Sequence, residues 1–359
     1  MSHRAGVALT AAAAMAALTL SGALPVGASP AATSLTPGWR VVFSHHYRPI
    51  NPMGAYVSVI APARNDAWAF GGSFTDASDG YPVAAHWNGR RWQAAALPAG
   101  LHGWIHAVGA SSPTDVWAAS YLNGFVLHFN GVRWSVAKRL SASRQITGIT
   151  VISPTNVWVF GDSGSFPGDG TWHFNGRHWT KITGIGRGIN TASAVTRHNI
   201  WAFGGIREPN DSVEHYNGRS WVHVTVPALT GLFLRAVLAL TADDVWVAGN
   251  GQLSDQQVAV LEHWNGRQWH EIIVPGSVVL ERLIADGTGG LWLTVQSVPQ
   301  PTKTWILHRS RFGRWTRTQI ASNTEIADLA LIPGTTSVWG SGRYDLGDFA
   351  AIFAHGRAG

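Results

Sequence analysis

Residues 113–134, Pro-Thr-Asp-Val-Trp-Ala-Ala-Ser-Tyr-Leu-Asn-Gly-Phe-Val-Leu-His-Phe-Asn-Gly-Val-Arg-Trp, contain two phrases from which most of the chain is built. The first phrase is Asp-x-Trp, with Asp replaced in some copies, and its tryptophan recurs at Trp68, Trp117, Trp158, Trp201, Trp246, Trp292 and Trp339. The second is His-aromatic-Asn-Gly-x-x-Trp, and its tryptophan recurs at Trp92, Trp134, Trp179, Trp221, Trp269 and Trp315. Successive copies are 41 to 49 residues apart.

This period, with short β-branched runs broken by Gly, Pro, Asn and Asp, is typical of a β-propeller with four strands per blade. In the second copy we expect strands at 104–110, 116–120, 125–129 and around Trp134. Asn130-Gly131 predicts a two-residue hairpin, because both residues tolerate positive φ. The seventh copy lacks a fourth strand, whereas residues 38–43 look like one without a blade. We therefore predict an all-β, seven-bladed propeller of antiparallel strands, closed by an N-terminal outer strand in the last blade.

The N-terminus has the pattern of an export signal. Arg4, an Ala/Leu-rich run over 5–24 and the small residues 26–28 predict a cleaved signal peptide at 1–28. An uncleaved anchor is the alternative, since the run approaches the ~20 residues that span a membrane. A short linker at 29–37 and one propeller domain at 38–359 follow. We expect a secreted monomer with no membrane contact after cleavage.

Composition excludes several functions. The chain has no cysteine, so disulfides, thiolate metal sites and a cysteine nucleophile are absent. The net charge is +6, and arginines recur once per blade in the Asn-Gly turns, at Arg90, Arg133, Arg177, Arg219 and Arg267. Nucleic-acid binding requires a contiguous basic face, so we expect no nucleic-acid partner; attraction to an acidic cell-wall polymer is more plausible.

Two repeated columns are expected to be structural. Fourteen tryptophans, counting Trp39, occupy the two repeat positions and should form the core between blades. Seven histidines occupy one repeat position: His86, His128, His173, His215, His263, His308 and His355. A metal needs three or four ligands at ~2 Å, which one histidine per blade cannot supply, so we expect inter-strand hydrogen bonds instead. The sequence predicts no metal and no cofactor.

The candidate site lies where repetition fails. The residue eleven before each first-phrase tryptophan is irregular: Val57, His106, Thr147, Asn190, Arg235, Glu281 and, with one inserted residue, Ala327. This position is near the start of the innermost strand, so these residues should surround the channel mouth and form the default pocket. The predicted ligand-binding residues are His106, Asn190, Arg235, Glu281, Arg282 and Asp328. In the alternative interpretation, Arg235 and Glu281 only pair with each other.

The loops between the second and third strands are long and irregular on the same face. They supply further candidates, because binding residues concentrate in loops on a rigid scaffold: Asp76, Asp79, Tyr81, Asp162, Asp211, Tyr344 and Asp345.

The phrases at 68–72 and 201–205, Trp-Ala-Phe-Gly-Gly, resemble a kelch repeat. The pattern Asp-Val-Trp-Ala-x-Gly…His-Trp-Asn-Gly-x-x-Trp is more similar to Trp-rich repeats of secreted bacterial propellers. That resemblance implies a fold like the central domain of galactose oxidase, together with export, but no established activity. Galactose oxidase uses a cysteine-crosslinked tyrosine, which this chain lacks. Residues 169–172, Asp-Gly-Thr-Trp, match a fragment of the sialidase box, but before the third strand.

We therefore expect a secreted, non-catalytic propeller that recognises a glycan, a cell-wall component or an extracellular protein, with no catalytic residue. The alternative is an extracellular polysaccharide hydrolase or lyase with paired carboxylates at the channel mouth. A hydrolase needs two carboxylates ~5–10 Å apart, and the candidate pairs are Glu281 with Asp328 and Asp162 with Asp211.

Overall fold

The computed structural model describes residues 34–36, 38–46, 53–74, 80–121, 123–140, 145–161, 170–183, 189–204, 212–227, 233–254, 256–298, 304–321, 324–344 and 349–356. All regular structure in these ranges is β-strand, arranged in seven antiparallel sheets. None of the described residues belongs to a helix that could cross a membrane.

Each sheet is one blade, and its strands pair in chain order from the inside outward. The first three blades are β3 Met53–Ala63, β4 Asp66–Phe74, β5 Tyr81–Trp87, β6 Trp92–Ala95; β7 Ile105–Ser112, β8 Asp115–Ser120, β9 Phe125–Phe129, β10 Trp134–Arg139; and β11 Gly148–Ser153, β12 Asn156–Phe160, β13 Thr171–Phe174, β14 Trp179–Ile182. The next three are β15 Ile189–Thr196, β16 Asn199–Gly204, β17 Ser212–Tyr216, β18 Trp221–Val224; β19 Phe233–Thr241, β20 Asp244–Leu253, β21 Gln256–Trp264, β22 Trp269–Ile273; and β23 Val278–Ala285, β24 Leu291–Ser297, β25 Thr304–Arg309, β26 Trp315–Gln319.

The seventh blade joins the two ends of the chain. It contains β27 Glu325–Leu331, β28 Val338–Tyr344 and β29 Phe349–His355, and then the N-terminal strands β2 Trp39–His46 and β1 Ser34–Thr36. β2 pairs with β29 from Trp39 opposite His355 to His46 opposite Phe349. Each innermost strand contacts the next one, and β27 contacts β3, so the ring is closed. The predicted fold and closure are confirmed; β1 is a fifth strand within the stretch predicted as a linker.

The Asn-Gly turns differ in detail from the prediction. In the second blade the Asn130 N–H donates to the Arg133 carbonyl, so the two loop residues are Gly131 and Val132. Gly131 has a φ of +87°, whereas Asn130 and Val132 do not have positive φ. The Asn130 Oδ1 accepts hydrogen bonds from the Val132 N–H at 3.1 Å and the Arg133 N–H at 3.0 Å. The asparagine is therefore used for its side-chain acceptor, and only glycine supplies the left-handed conformation.

The tryptophans form the core between blades, as predicted. Trp134 packs edge-on against Trp68 of the preceding blade, with ring centroids 5.1 Å apart. Equivalent inter-blade pairs are Trp117–Trp179, Trp158–Trp221, Trp201–Trp269 and Trp92–Trp339. Such edge-to-face pairs are favoured by the ring quadrupoles and bury large apolar areas.

Six of the seven predicted histidines make the same two contacts. Each one packs on the tryptophan of the second strand. In five blades its Nε2 lies 2.8–3.1 Å from the Asp or Asn two residues before that tryptophan. In the sixth blade the partner of His308 is Asp286, six residues before Trp292, at 2.8 Å. The first phrase, Asp-x-Trp, is thus an acceptor for the histidine of the second phrase. The placement of His355 in this column is wrong, because Trp339 pairs with Ala354 and His355 pairs with Val338. His355 instead lies between Trp39 and Trp292, where other blades have an aromatic residue.

Candidate functional site

The irregular column is a ring of β-bulges. In six innermost strands the pairing skips one residue, and the skipped residues are Val57, His106, Asn190, Arg235, Glu281 and Ala327. In the third blade the Thr147 N–H donates to the Phe160 carbonyl, while Gly148 also lies opposite Phe160. A bulge leaves its extra residue outside the ladder and redirects the side chain. This geometry explains why the residue at the bulge position differs between blades while the flanking residues of the strand follow the repeat.

All seven bulge residues line one cavity of about 580 Å³ inside the ring. Polar bulge residues come from five consecutive blades, the second to the sixth: His106, Thr147, Asn190, Arg235 and Glu281. The first and seventh blades supply Val57 and Ala327. The bulge residues are therefore polar in five blades and apolar in two, but Ser58, Glu325 and Asp328 add polar groups to the wall in those two blades. The size of the cavity is that of a small-ligand site.

Asp328 is held by three blades at once. Its Oδ2 accepts from the Val59 N–H of the first blade at 3.0 Å, and its Oδ1 accepts from the Leu329 N–H at 2.9 Å. Arg282 Nε of the sixth blade lies 3.4 Å from Oδ1. Burial raises the pKa of Asp328, although Arg282 and the two N–H donors oppose this effect. Both oxygens of this predicted ligand-binding residue are thus already engaged across the seam of the ring.

Similar bonds join other neighbouring blades around the cavity. Ser58 Oγ donates to the His106 carbonyl, and Thr150 Oγ1 donates to the Ala192 carbonyl at 2.7 Å. Asn250 Oδ1 accepts from the Leu280 N–H at 2.6 Å. The mouth is consequently supported by side-chain bonds between blades, so the bulge residues project from a rigid frame.

Arg235 and Glu281 do not pair with each other. Arg235 is exposed, Glu281 is half-buried, and neither side chain forms an ion pair or hydrogen bond with any of the described residues. The alternative interpretation of these two residues is therefore wrong in this structure. Burial raises the pKa of Glu281, against the fields of Arg235 and Arg282, and Glu325 adds to the increase. Glu325, in contrast, is bound by Arg343 at 2.8 Å.

His106 is a neutral polar group in the wall. Burial lowers the pKa of His106 to about 4, and the positive charge of Arg282 contributes. Its ring lies 5.4 Å from the Tyr121 ring, which in turn lies 5.8 Å from Trp104. Neutral imidazole can donate at one nitrogen and accept at the other. Next to it, Trp104 gives the second-blade side of the cavity an aromatic lining.

The loop candidates divide into two groups. Asp76, Asp79, Asp162, Asp211 and Asp345 lie outside the described residues, and so does the alternative carboxylate pair of Asp162 with Asp211. Tyr81 is 46% exposed at the start of β5, and Tyr344 is half-buried at the end of β28. Neither tyrosine lines the cavity. Across the described part of the chain, no group of three His, Asp or Glu side chains could hold a metal ion.

Some cavity residues were not predicted. Glu325 lies two residues before the Ala327 bulge in β27, so strand alternation could have indicated it. Thr294 and Gln296 reach the cavity from β24, a second strand. Thr294 lies two residues after Trp292, the same offset as Phe203, which also lines the cavity, but the equivalent residues of the other blades do not line it, so the repeat alone does not identify these two.

No protein-family model and no curated protein matches the chain. Among solved structures, YCF48 from Cyanidioschyzon merolae aligns with a TM-score of 0.58 at 11% identity, over 89% of this chain and 98% of that one. The GH74 xyloglucanase from Xanthomonas campestris gives a TM-score of 0.61 at 17% identity, over 88% of this chain but 53% of the enzyme. A catalytically inactive virginiamycin B lyase from Staphylococcus aureus, with quinupristin, gives 0.58 at 9%, over 86% and 98%. These likenesses show the seven-bladed β-propeller fold alone.

Proposed function

We propose that the chain is a secreted, kelch-like, non-catalytic binding propeller that takes a carboxylate-bearing saccharide at the polar bulge residues of its channel mouth. The observation that carries this proposal is the pair Arg235 and Glu281, which lie on neighbouring bulges in one cavity with unused hydrogen-bonding capacity. Export is supported only by the sequence pattern at 1–28.

The chemistry of the lining favours an acidic sugar. Arg282 and Arg343 are already compensated by carboxylates, whereas Arg235 is exposed and has no acidic partner among the described residues. A guanidinium binds a carboxylate through two parallel hydrogen bonds. Glu281, Asn190 and neutral His106 add donors and acceptors that suit sugar hydroxyls. A cavity of about 580 Å³ admits a short saccharide chain.

The hydrolase remains the second candidate because Glu281 and Asp328 share the cavity and both have raised pKa values. A raised pKa is what a general acid needs. However, a nucleophile or base needs a free oxygen, and both oxygens of Asp328 accept hydrogen bonds from the backbone. The second carboxylate is therefore occupied as a structural acceptor, which favours binding without catalysis.

The test is an array of neutral and uronate-containing oligosaccharides, probed with the protein and with Arg235→Gln and Glu281→Gln. Arg219→Gln, an exposed arginine at the opposite end of the ring, is the matched control. We expect uronate binding that falls at least tenfold in Arg235→Gln, since a charge-assisted pair contributes about 1.5–3 kcal/mol, and that is unchanged in the control. Release of shortened sugars would favour the hydrolase, and an array without any binding would refute the proposal.

A further inference from the structure

One end of the ring is lined with arginine. We call it the turn face; it carries the turns between the first and second strands and between the third and fourth strands of each blade. The two kinds of turn pack together, because a Cβ added at Gly218 would lie 2.8 Å from the His198 Cβ. The exposed arginines in these turns are Arg64, Arg90, Arg91, Arg133, Arg177, Arg197, Arg219, Arg267, Arg311 and Arg314.

This charge is not balanced locally. Among the described residues, none of the ten side chains forms an ion pair or a hydrogen bond. Asp243 is the exposed carboxylate in the described turns. Four further aspartates near this end are hydrogen-bonded to histidines: Asp66, Asp115, Asp244 and Asp286. The face therefore presents an annulus of free guanidinium groups, which bind phosphate in a planar, bidentate manner.

The same face carries the two most exposed large apolar side chains of the described residues. Val132 is 85% exposed and Phe312 is 81% exposed, whereas the others are 41–51% exposed. Both lie in turns between third and fourth strands and are flanked by arginine. The Arg311 guanidinium lies 4.5 Å from the Phe312 ring centroid. Arginine beside protruding apolar residues is the composition of surfaces that bind at a lipid–water interface.

We propose that the turn face docks on a lipid membrane containing anionic phospholipids, with arginines at the phosphates and Val132 and Phe312 in the headgroup layer. A plane can meet the cations of all six blades that carry these arginines simultaneously, whereas a linear polyanion meets only some of them unless it curves around the ring. This docking departs from the expectation of no membrane contact, because the placed strands add Arg64, Arg197, Arg311 and Arg314 to the face that the arginines of the Asn-Gly turns already share. The channel mouth, at the opposite end, stays open.

The test is co-sedimentation of the full chain with vesicles of phosphatidylcholine, alone or mixed with phosphatidylglycerol. The matched pair of variants is Arg133→Gln/Arg177→Gln and Arg139→Gln/Lys181→Gln. Both double variants remove two positive charges, one from the second blade and one from the third. Arg133 and Arg177 lie in the turns before the outer strands β10 and β14, whereas Arg139 and Lys181 lie within these strands. Each arginine at the surface should contribute about fivefold, so the first double should weaken binding to the anionic vesicles roughly 25-fold. The second double should bind like the parent chain.

The apolar run near the N-terminus could hold any variant on vesicles, so only the part that requires phosphatidylglycerol and falls with salt is attributed to the turn face. A third variant, Val132→Ser/Phe312→Ser, should weaken this part without changing its salt dependence. Equal losses in the two charge doubles, or binding that ignores lipid charge, would overturn the proposal. Binding to inorganic polyphosphate without binding to anionic vesicles would also overturn it, in favour of a polymer. None of these outcomes depends on the saccharide site.

Discussion

Glu262 should make the free energy of unfolding depend on pH. It lies in β21 and is 1% exposed, and its two carboxylate oxygens find no hydrogen-bond partner in the described structure. Burial raises the pKa of Glu262 to about 7, and its cross-strand neighbour Glu271 adds to the increase. The equivalent positions of the second and sixth blades hold Leu127 and Leu307. A leucine should therefore fit where this carboxyl group stands.

The sign follows from the order of the two pKa values. The folded value of about 7 lies above the ordinary value of 4.5, so the unfolded chain releases this proton first. The contribution of Glu262 to the free energy of unfolding is therefore fully present below about pH 4.5, falls as the pH rises from about 4.5 to about 7, and stays low above that range. At 1.36 kcal/mol per pH unit, the loss above pH 7 amounts to roughly 3 kcal/mol.

The assay is urea unfolding of the parent and of Glu262→Leu, followed by tryptophan fluorescence at pH 5 and pH 8. We expect the variant to be more stable by roughly 3 kcal/mol at pH 8, with a gain at least 2 kcal/mol smaller at pH 5. Glu271→Gln is the control, because it removes only the neighbouring charge and should keep most of the pH dependence. Parallel stability curves for the parent and Glu262→Leu would refute the reasoning, since the carboxyl group would then not titrate between the two pH values.

Three further predictions concern the frame. Asp328→Ala should cost about 3 kcal/mol in denaturant unfolding, because it leaves an arginine and two N–H groups without their acceptor. Burial acts to raise the pKa of Asp115, but hydrogen bonds, that of His128 first, lower it. Asp115→Asn should therefore lower the free energy of unfolding at neutral pH. In an acid titration, the parent should lose stability as the pH falls below about 4, and the variant should lose less. Gly71→Ala should cost more than about 3 kcal/mol by calorimetry, because its Cβ would lie 1.8 Å from the Ala55 carbonyl oxygen.

Each of these has an opposite outcome. Native stability in Asp328→Ala would mean that the β2–β29 pairing and the packing of Trp92 on Trp339 hold the seam without this carboxylate. If Asp115→Asn loses as much stability below about pH 4 as the parent does, a group other than Asp115 titrates there. A stable Gly71→Ala protein would mean that the bulge in β3 can move away from β4.

The fold could be predicted because one local signal is repeated in every blade. Trp117 and His128 lie in phrases whose spacing is set by a single sheet, and the strand expected at 125–129 is β9 Phe125–Phe129. Errors in one copy are corrected by the others. The last blade has no such support, because two distant chain segments form it. There the spacing places His355 in the histidine column, one residue out of register.

The site could be predicted only in part. A fixed offset from the tryptophan identified residues such as Arg235 and Glu281, since a bulge at the same place in every blade keeps that offset constant. The sequence does not show that this position is a bulge. The alternation of side chains along a strand assigns each residue to one face of the sheet, but it does not identify a residue that is left out of the pairing. The absence of an Arg235–Glu281 pair depends on the direction of two bulged side chains, which no spacing specifies.

Asp328 shows why irregularity alone does not identify a binding residue. A ring of repeats must be closed once, so the blades at the seam need contacts that the other blades do not. Asp328 is irregular for that reason: it joins Val59 of the first blade to Arg282 of the sixth. Arg235 is far from the seam in the chain order and has no acidic partner among the described residues, so closure does not explain it. A non-repeating polar residue that no contact within the ring accounts for is the better indication of a ligand, and by that criterion Arg235 and Glu281 rank above Asp328.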